Sequence, residues 1–300
     1  MKIPFFSNFK TQSINNIPAT PASLDKIEKK ILVAEDIEIN QMLVKNLLEE
    51  WGCNVDIAVN GLEAVKKVKE TDYDLILMDI QMPVMDGITA THEIRNLPQP
   101  GKENVMIMAF TSIDFKDVNK YIEAGMDDYI IKPYTKENLH EKIVNILKKQ
   151  NSSLRKPKKP ADEITVTNEG DKNSPETGLK NTVDADNLPK LYDTAMIDSI
   201  GKSNAAFTSK MITMFVDIIS QDLDLLKNEA DKENWGEVSQ IAHKMKSTFG
   251  NMAVHSVLDN IKALEAGTTN PLINIKQLED RTVNVISQIK TDYPDLFKIQ

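Results

Sequence analysis

Cysteine is almost missing from this 300-residue sequence. Cys53 stands alone, so no intramolecular disulfide can form, and the count suits a reducing compartment. Positive charge is also in short supply. Thirty-six Lys and Arg face 45 Asp and Glu, a formal net charge of −9, which excludes the basic footprint of a nucleic-acid binder. No apolar run approaches the roughly 20 residues of a membrane helix. The opening residues, Met1 to Ser7, lack the apolar core of a secretory signal. These absences lead us to expect a soluble cytoplasmic protein with no nucleic-acid and no membrane partner. The length suits about two domains.

Residues 1–28 mix Asn, Ser, Thr and Pro without any period and read as a disordered tail. From residue 29 the pattern sharpens. Short apolar runs (Ile31 to Ala34, Val55 to Val59, Leu75 to Met78, Val105 to Phe110, Tyr129 to Ile131) alternate with segments of helical period. Those segments are Met42 to Trp51, Leu62 to Val68, Ile88 to Leu97, Phe115 to Ala124 and Leu139 to Leu147. Five strands alternating with five helices over residues 29–149 predict an α/β doubly wound, five-stranded parallel sheet.

Polar residues recur where these strands end. Glu35 and Asp36 follow the first strand, Asp79 the third, Thr111 the fourth and Lys132 the fifth. All fall at carboxyl ends and therefore at one rim, where open α/β sheets bind ligands. Three carboxylates there repel each other, and unaided one stays protonated. A hard divalent cation resolves the conflict, and Mg²⁺ suits few carboxylates, retained waters and phosphate oxygens. With the Lys132 charge and the Thr111 hydroxyl, the parts suit phosphoryl transfer onto a carboxylate.

These residues carry a resemblance. Glu35-Asp36, Asp79 within M-D-I-Q-M-P-V-M-D-G, Thr111 in A-F-T-S, and Tyr129 to Pro133 resemble, in order and spacing, a response-regulator receiver domain of flavodoxin-like fold. The resemblance implies that Asp79 is the phosphoacceptor and Asp36 a direct Mg²⁺ ligand. It also implies that Glu35 acts through water, that the Gln81 carbonyl completes the coordination, and that Thr111 and Tyr129 form a switch pair. Two other uses of such a fold fit less well. Glu35-Asp36 would repel a flavin phosphate, and Gln81 stands where a haloacid-dehalogenase-type phosphatase needs a second Asp.

Apolar content collapses over residues 150–189, which read as a flexible linker with a small basic cluster, Arg155 to Pro160. Residues 190–300 lose the strand runs and show helical periods. Ala195 to Ile200 is short. Phe207 to Leu225, Val238 to Met252, Val254 to Leu264 and Leu272 to Ile289 follow, predicting an all-α antiparallel helical bundle. His243 lies roughly 200° around its helix from Met245, at about 100° per residue, and is expected to point to solvent. Lys246, Ser247 and Gly250 share its face. The stretch A-H-K-M-K-S-T-F-G resembles the core of a histidine phosphotransfer (HPt) domain. That resemblance implies that His243 carries a phosphoryl group and that Lys246 helps to hold it. Ser247 departs from the family's usual Gly. His92, His140 and His255 read as structural or solvated.

Together the resemblances imply a two-component phosphorelay intermediate. Asp79 would be charged from the phosphohistidine of a sensor histidine kinase or another relay protein, and a downstream response regulator is a further partner. The chain shows no kinase histidine motif and no Gly-rich nucleotide lid, so we expect a phosphotransfer protein without an ATPase module and not an enzyme in its own right. An alternative is the C-terminal receiver–HPt portion of a hybrid sensor kinase, against which Met1 and the irregular tail lean. A phosphorylation-independent docking protein is a third reading. A coil of about 40 residues spans on the order of 35 Å, so Asp79 and His243 are expected to be able to meet within one chain.

Overall fold

A computed structural model describes residues 26–111, 118–151, 190–201 and 204–298. The expected tail, apart from its last residues, and nearly all of the expected linker lie outside them, as do Ser112 and the start of the helix expected from Phe115. Residues 26–28 are not detached: Ile27 N donates to Trp51 O at 2.8 Å. At the other boundary, helix runs through Asn151, past the expected edge of the linker.

The first half is a parallel sheet of β1 (Lys30–Ala34), β2 (Asn54–Ala58), β3 (Leu75–Met78), β4 (Met106–Thr111) and β5 (Asp128–Ile131), in the order β2-β1-β3-β4-β5. This is a flavodoxin-like arrangement, and the order in which strands are added switches sides between β1 and β3. Helices α1 (Glu38–Glu50), α2 (Gly61–Glu70), α3 (Gly87–Arg95), α4 (Val118–Glu123) and α5 (Lys136–Asn151) cover both faces. Alternate residues of each inner strand feed opposite layers. Ile31, Val33, Leu75 and Leu77 pack with α1 and α5, whereas Leu32, Ala34, Ile76 and Met78 pack with α2 and α3. Burial on both faces explains why these strands read as unbroken apolar runs.

Local signals place the turns. Asn60 Oδ1 accepts from Glu63 N at 2.8 Å and caps α2, and Asp86 Oδ1 accepts from Thr89 N at 2.7 Å and caps α3. Arg95, at the end of α3, binds three carbonyls, those of Glu103 and Val105 before β4 and of Gly125 before β5, together with the Asp127 carboxylate. Several boundaries shift from expectation, two of them near the rim. β4 extends to Thr111, making that residue a strand end and not the first of a loop, and Val59 lies beyond β2 with half its surface exposed.

The second half is helical. A short α6 (Ala195–Ile200) precedes α7 (Ala205–Asp231), α8 (Trp235–Asn251), α9 (Leu258–Glu265) and α10 (Pro271–Asp292). α7 packs on α8, α8 on α9, α9 on α10, and α10 back on α7, closing a ring. Asn204 caps α7, and Pro271 opens α10 at a position where no N–H is needed. Phe215 and Phe249 meet edge to face at 5.9 Å inside the ring. The two halves are in contact, because α6, α7 and α8 all pack against α1. The apolar layer on that side of the sheet continues into the bundle core without a break. Asn46 Nδ2 closes one edge of the contact by donating to Ile200 O at 2.8 Å.

Gly87 shows how tightly the rim is built. A Cβ there would fall 2.0 Å from Asp79 O, and Gly87 N already donates to Ile80 O at 2.9 Å. Neither backbone group can retreat. Gly87→Ala should therefore destabilise the protein by about 3 kcal/mol, seen as a lower urea midpoint in the metal-free protein. An unchanged midpoint would show that the loop yields.

Candidate functional site

The rim at the switch point between β1 and β3 gathers the acids. Asp79 N donates to Ala34 O at 2.9 Å, and Glu35 N to Ala58 O at 3.0 Å, so the strand ends fix where both side chains start. Glu35, Asp36 and Asp79 each place a carboxylate oxygen within 4.8 Å of the other two. Lys132 follows β5, and its N donates to Thr111 O at 2.6 Å, tying the ends of β4 and β5 together. Its Nζ donates to Asp79 Oδ2 at 2.6 Å and also to Glu35 Oε2. The ammonium lies 4.6 Å from the Phe110 ring centroid, an added attraction for a buried cation.

One ammonium serves too many carboxylates. Burial pushes the Glu35 carboxyl well above the usual range, against the pull of Lys132, and the Asp79 charge adds to the rise. Burial, then the Asp79 charge, raises Asp36 from 3.8 to about 6. Burial alone would depress Lys132, yet Asp79 and Glu35 together lift it above its ordinary value. The cation is thus firmly charged while a neighbouring acid keeps its proton. Hard oxygen donors, clustered and short of positive charge, fit a divalent cation.

The remaining expected residues fall around this pocket. Gln81 N donates to Asp79 Oδ1 at 3.2 Å, which leaves the Gln81 carbonyl on the loop beside the acids. Thr111 is buried at the end of β4. Tyr129, on β5, is partly buried, with Lys142 Nζ 4.9 Å from its ring centroid.

His243 departs from its expected environment. Its side chain is only 18% exposed. The helical wheel correctly turns it away from the bundle core, but a wheel says nothing about what covers the opposite face. Here that face looks onto the acidic rim. Asp36, Asp79 and Gln81 line one wall of a cleft of about 1110 Å³, and His243, Lys244, Lys246, Ser247 and Glu265 line the other. Gly250, on the same helix face, has open space where a Cβ would stand. His92 and His255 are exposed, whereas His140 is buried and meets Trp51 edge to face at 4.9 Å.

Sequence reading missed four residues. Glu265, at the end of α9, sets its Oε1 2.5 Å from His243 Nδ1, and Lys246 Nζ lies 3.4 Å from its other oxygen. Burial opposes the charge on Glu265, but the hydrogen bond with His243 and the Lys246 charge hold its carboxyl below the usual range. With Nδ1 engaged, Nε2 is the ring nitrogen left for a reaction partner. Lys244 pairs with Asp222 at 2.8 Å, and its charge also reaches Asp36 across the cleft. Asn40 and Asn251 hydrogen-bond between the halves. Asn40 carried a signal, since it interrupts the apolar stripe of Ile39, Leu43, Val44 and Leu47 on α1. Glu265 carried none, because its pairing with His243 is made only by packing α9 on α8.

Comparison with known proteins divides the chain. Residues 31–144 match the model of the response regulator receiver domain. Over 114 residues the chain is 43% identical to hybrid signal transduction histidine kinase G of Dictyostelium discoideum, covering 37% of this chain and 3% of that protein. Its likeness to the aerobic respiration control sensor protein ArcB of Escherichia coli (strain K12) is 28% over 224 residues, covering 75% of this chain and 26% of that protein. The chain therefore spans a small part of the relatives it matches. A solved receiver domain of a Pseudomonas aeruginosa sensor histidine kinase, described as having a magnesium ion coordinated in its active site cleft, is 34% identical. It covers 40% of this chain and 98% of that one, with a TM-score of 0.38.

The acidic pocket makes a prediction about pH. Carboxyls raised by folding bind protons more tightly in the folded state, so their contribution is fully present below the unfolded values. It is lost as pH rises through the folded ones, about 6 for Asp36 and higher for Glu35. A cation bound to the ionised acids offsets that loss. The rise in melting temperature produced by excess Mg²⁺ over chelator should therefore grow from about pH 5 to about pH 8 and shrink in Asp36→Ala. An equal Mg²⁺ effect at both pH values would contradict the charge argument.

Proposed function

Residues 31–144 form a response regulator receiver domain of two-component signalling, and from that premise we propose that the chain is a phosphorelay intermediate whose receiver is charged on Asp79 and whose helical bundle is an HPt domain carrying phosphoryl on His243. One observation carries the reading: the acids around Asp79 and the imidazole of His243 line opposite walls of the same cleft. The likeness to ArcB supports it, because 224 residues cannot be contained in the receiver alone.

Each residue then has a task. Asp79 Oδ attacks the phosphorus of an incoming phosphohistidine, forming a P–O bond as the P–N bond breaks. Lys132 neutralises charge beside the new acyl phosphate, and the Thr111 hydroxyl donates to a phosphoryl oxygen. Tyr129 turns inward behind Thr111. Glu35, Asp36, Asp79 and the Gln81 carbonyl would hold Mg²⁺, which when bound neutralises phosphoryl oxygens. For the second step, Glu265 fixes the His243 tautomer through Nδ1, so that Nε2 attacks the phosphorus, forming a P–N bond as the P–O bond to Asp79 breaks and its carboxylate is regenerated. Lys244 and Lys246 flank the arriving phosphoryl group. The donor is a sensor histidine kinase or another relay protein, the acceptor beyond His243 a downstream response regulator, and the setting the cytoplasm. The chain itself is a phosphocarrier and not a kinase.

The curated relatives favour a second reading, in which this is the receiver and HPt portion of a hybrid sensor kinase. The chemistry at Asp79 and His243 is the same in both.

The test is radiolabel transfer. A donor specific for Asp79 is supplied to wild type, to Asp79→Asn, to His243→Gln, and to a mixture of the two variants. Wild type should label His243 at a rate independent of protein concentration, and the mixture slowly with second-order kinetics. Glu265→Gln should slow labelling of His243 at least about tenfold while leaving labelling of Asp79 unchanged. If His243 stays unlabelled in wild type while an unrelated receiver phosphorylates it, transfer within the chain is wrong.

A further inference from the structure

The contact between the halves is largely apolar; besides Asn46 at its edge, it carries a polar cluster around Asn40. Asn40, on α1, is 5% exposed, and Asn251, the last residue of α8, is 9% exposed. One carboxamide here meets three groups. Asn40 Nδ2 donates to Glu35 Oε1 at 2.8 Å and to Ser247 Oγ at 2.9 Å, while Asn40 Oδ1 accepts from Asn251 Nδ2 at 2.7 Å. Both N–H groups and the carbonyl oxygen of Asn40 are therefore engaged. Ser247 and Asn251 stand one and two turns beyond His243 on the same helix. The same carboxamide that steadies a carboxylate of the acidic pocket thus also grips the helix bearing the imidazole.

A helix offering Gly or Ala at these two places would bury the Asn40 carboxamide with one N–H and its carbonyl unmatched. Leaving a buried polar group unpaired is costly, whereas an apolar contact of similar size is easily replaced. The apolar surface thus supplies attraction to many helices, and the polar point discriminates among them.

We propose that Asn40, Ser247 and Asn251 form a clasp by which this receiver selects its own C-terminal bundle, and that Asn40 couples that docking to the acidic pocket through Glu35. The clasp deepens the phosphorelay reading, on which its purpose rests, but the docking it describes involves no phosphoryl group. It also gives Ser247 a role: the hydroxyl is an acceptor that a glycine lacks.

The docked state shields His243, so its reactivity toward diethyl pyrocarbonate reports undocking in the full chain. Peptide mass spectrometry gives the rate at His243, with exposed His92 and His255 as internal controls. Ser247→Ala and Asn251→Ala place a better helix former on α8, so the bundle should fold, which circular dichroism checks. Each should speed modification of His243 by at least about fivefold without changing the controls. Asn40→Ala combined with Asn251→Ala should be no faster than the faster single variant, because each removes the same bond. Rates equal to wild type, or effects that simply multiply, overturn the clasp. Transfer of label from Asp79 to His243 is followed in the same proteins. If wild type fails to transfer while the variants still expose His243, the relay reading falls and the clasp stands. If transfer occurs but exposure never changes, the clasp falls and the relay stands.

Discussion

The Lys132 ammonium is the pivot of the site. It is buried, it bonds both Asp79 and Glu35, and its backbone ties β5 to the end of β4. Without it, three acids would share the pocket with no cation at all, and their mutual repulsion would go unanswered. With it, Asp79 lies beside a fixed positive charge while Glu35 and Asp36 remain raised. The pocket is left partly uncompensated, and that deficit is what makes it receptive to a further cation and to an anionic group that brings one. The tight backbone at Gly87 and the cap at Asp86 serve this end, since they hold the loop that delivers Asp79 and Gln81 to the rim.

Much of this was legible in the sequence, for identifiable reasons. Buried parallel strands have no polar face, so Ile31 to Ala34 and Leu75 to Met78 announce themselves, and the residue after each run is placed by topology alone. That is why Glu35, Asp36, Asp79 and Lys132 converge as expected. Thr111 was misjudged by one position because a strand's last residue and a loop's first look alike when the side chain is small and polar. Helical period located α7, α8 and α10 for the same reason that it located α1. What the sequence withheld lies between elements. The pairing of Glu265 with His243 depends on how α9 meets α8, and the partial burial of His243 depends on what lies across the cleft. Neither leaves a local pattern, since period describes one helix at a time.

The interface between the halves combines two kinds of contact with different physical characters. The apolar layer against α1 is continuous with both cores and is indifferent to the identity of its partner within broad limits of shape. The carboxamide of Asn40 is directional and saturated. A buried polar group in such a setting contributes little net attraction but penalises mismatch, a division of labour that apolar packing alone cannot provide.

Coverage of α1 has a steric corollary. A helix surface can be occupied by only one macromolecule at a time. While α6, α7 and α8 rest on α1, a second protein cannot use that face to reach Asp79. Visitors and the resident bundle therefore queue for the same berth, and the lifetime of the docked state sets how often the berth falls vacant.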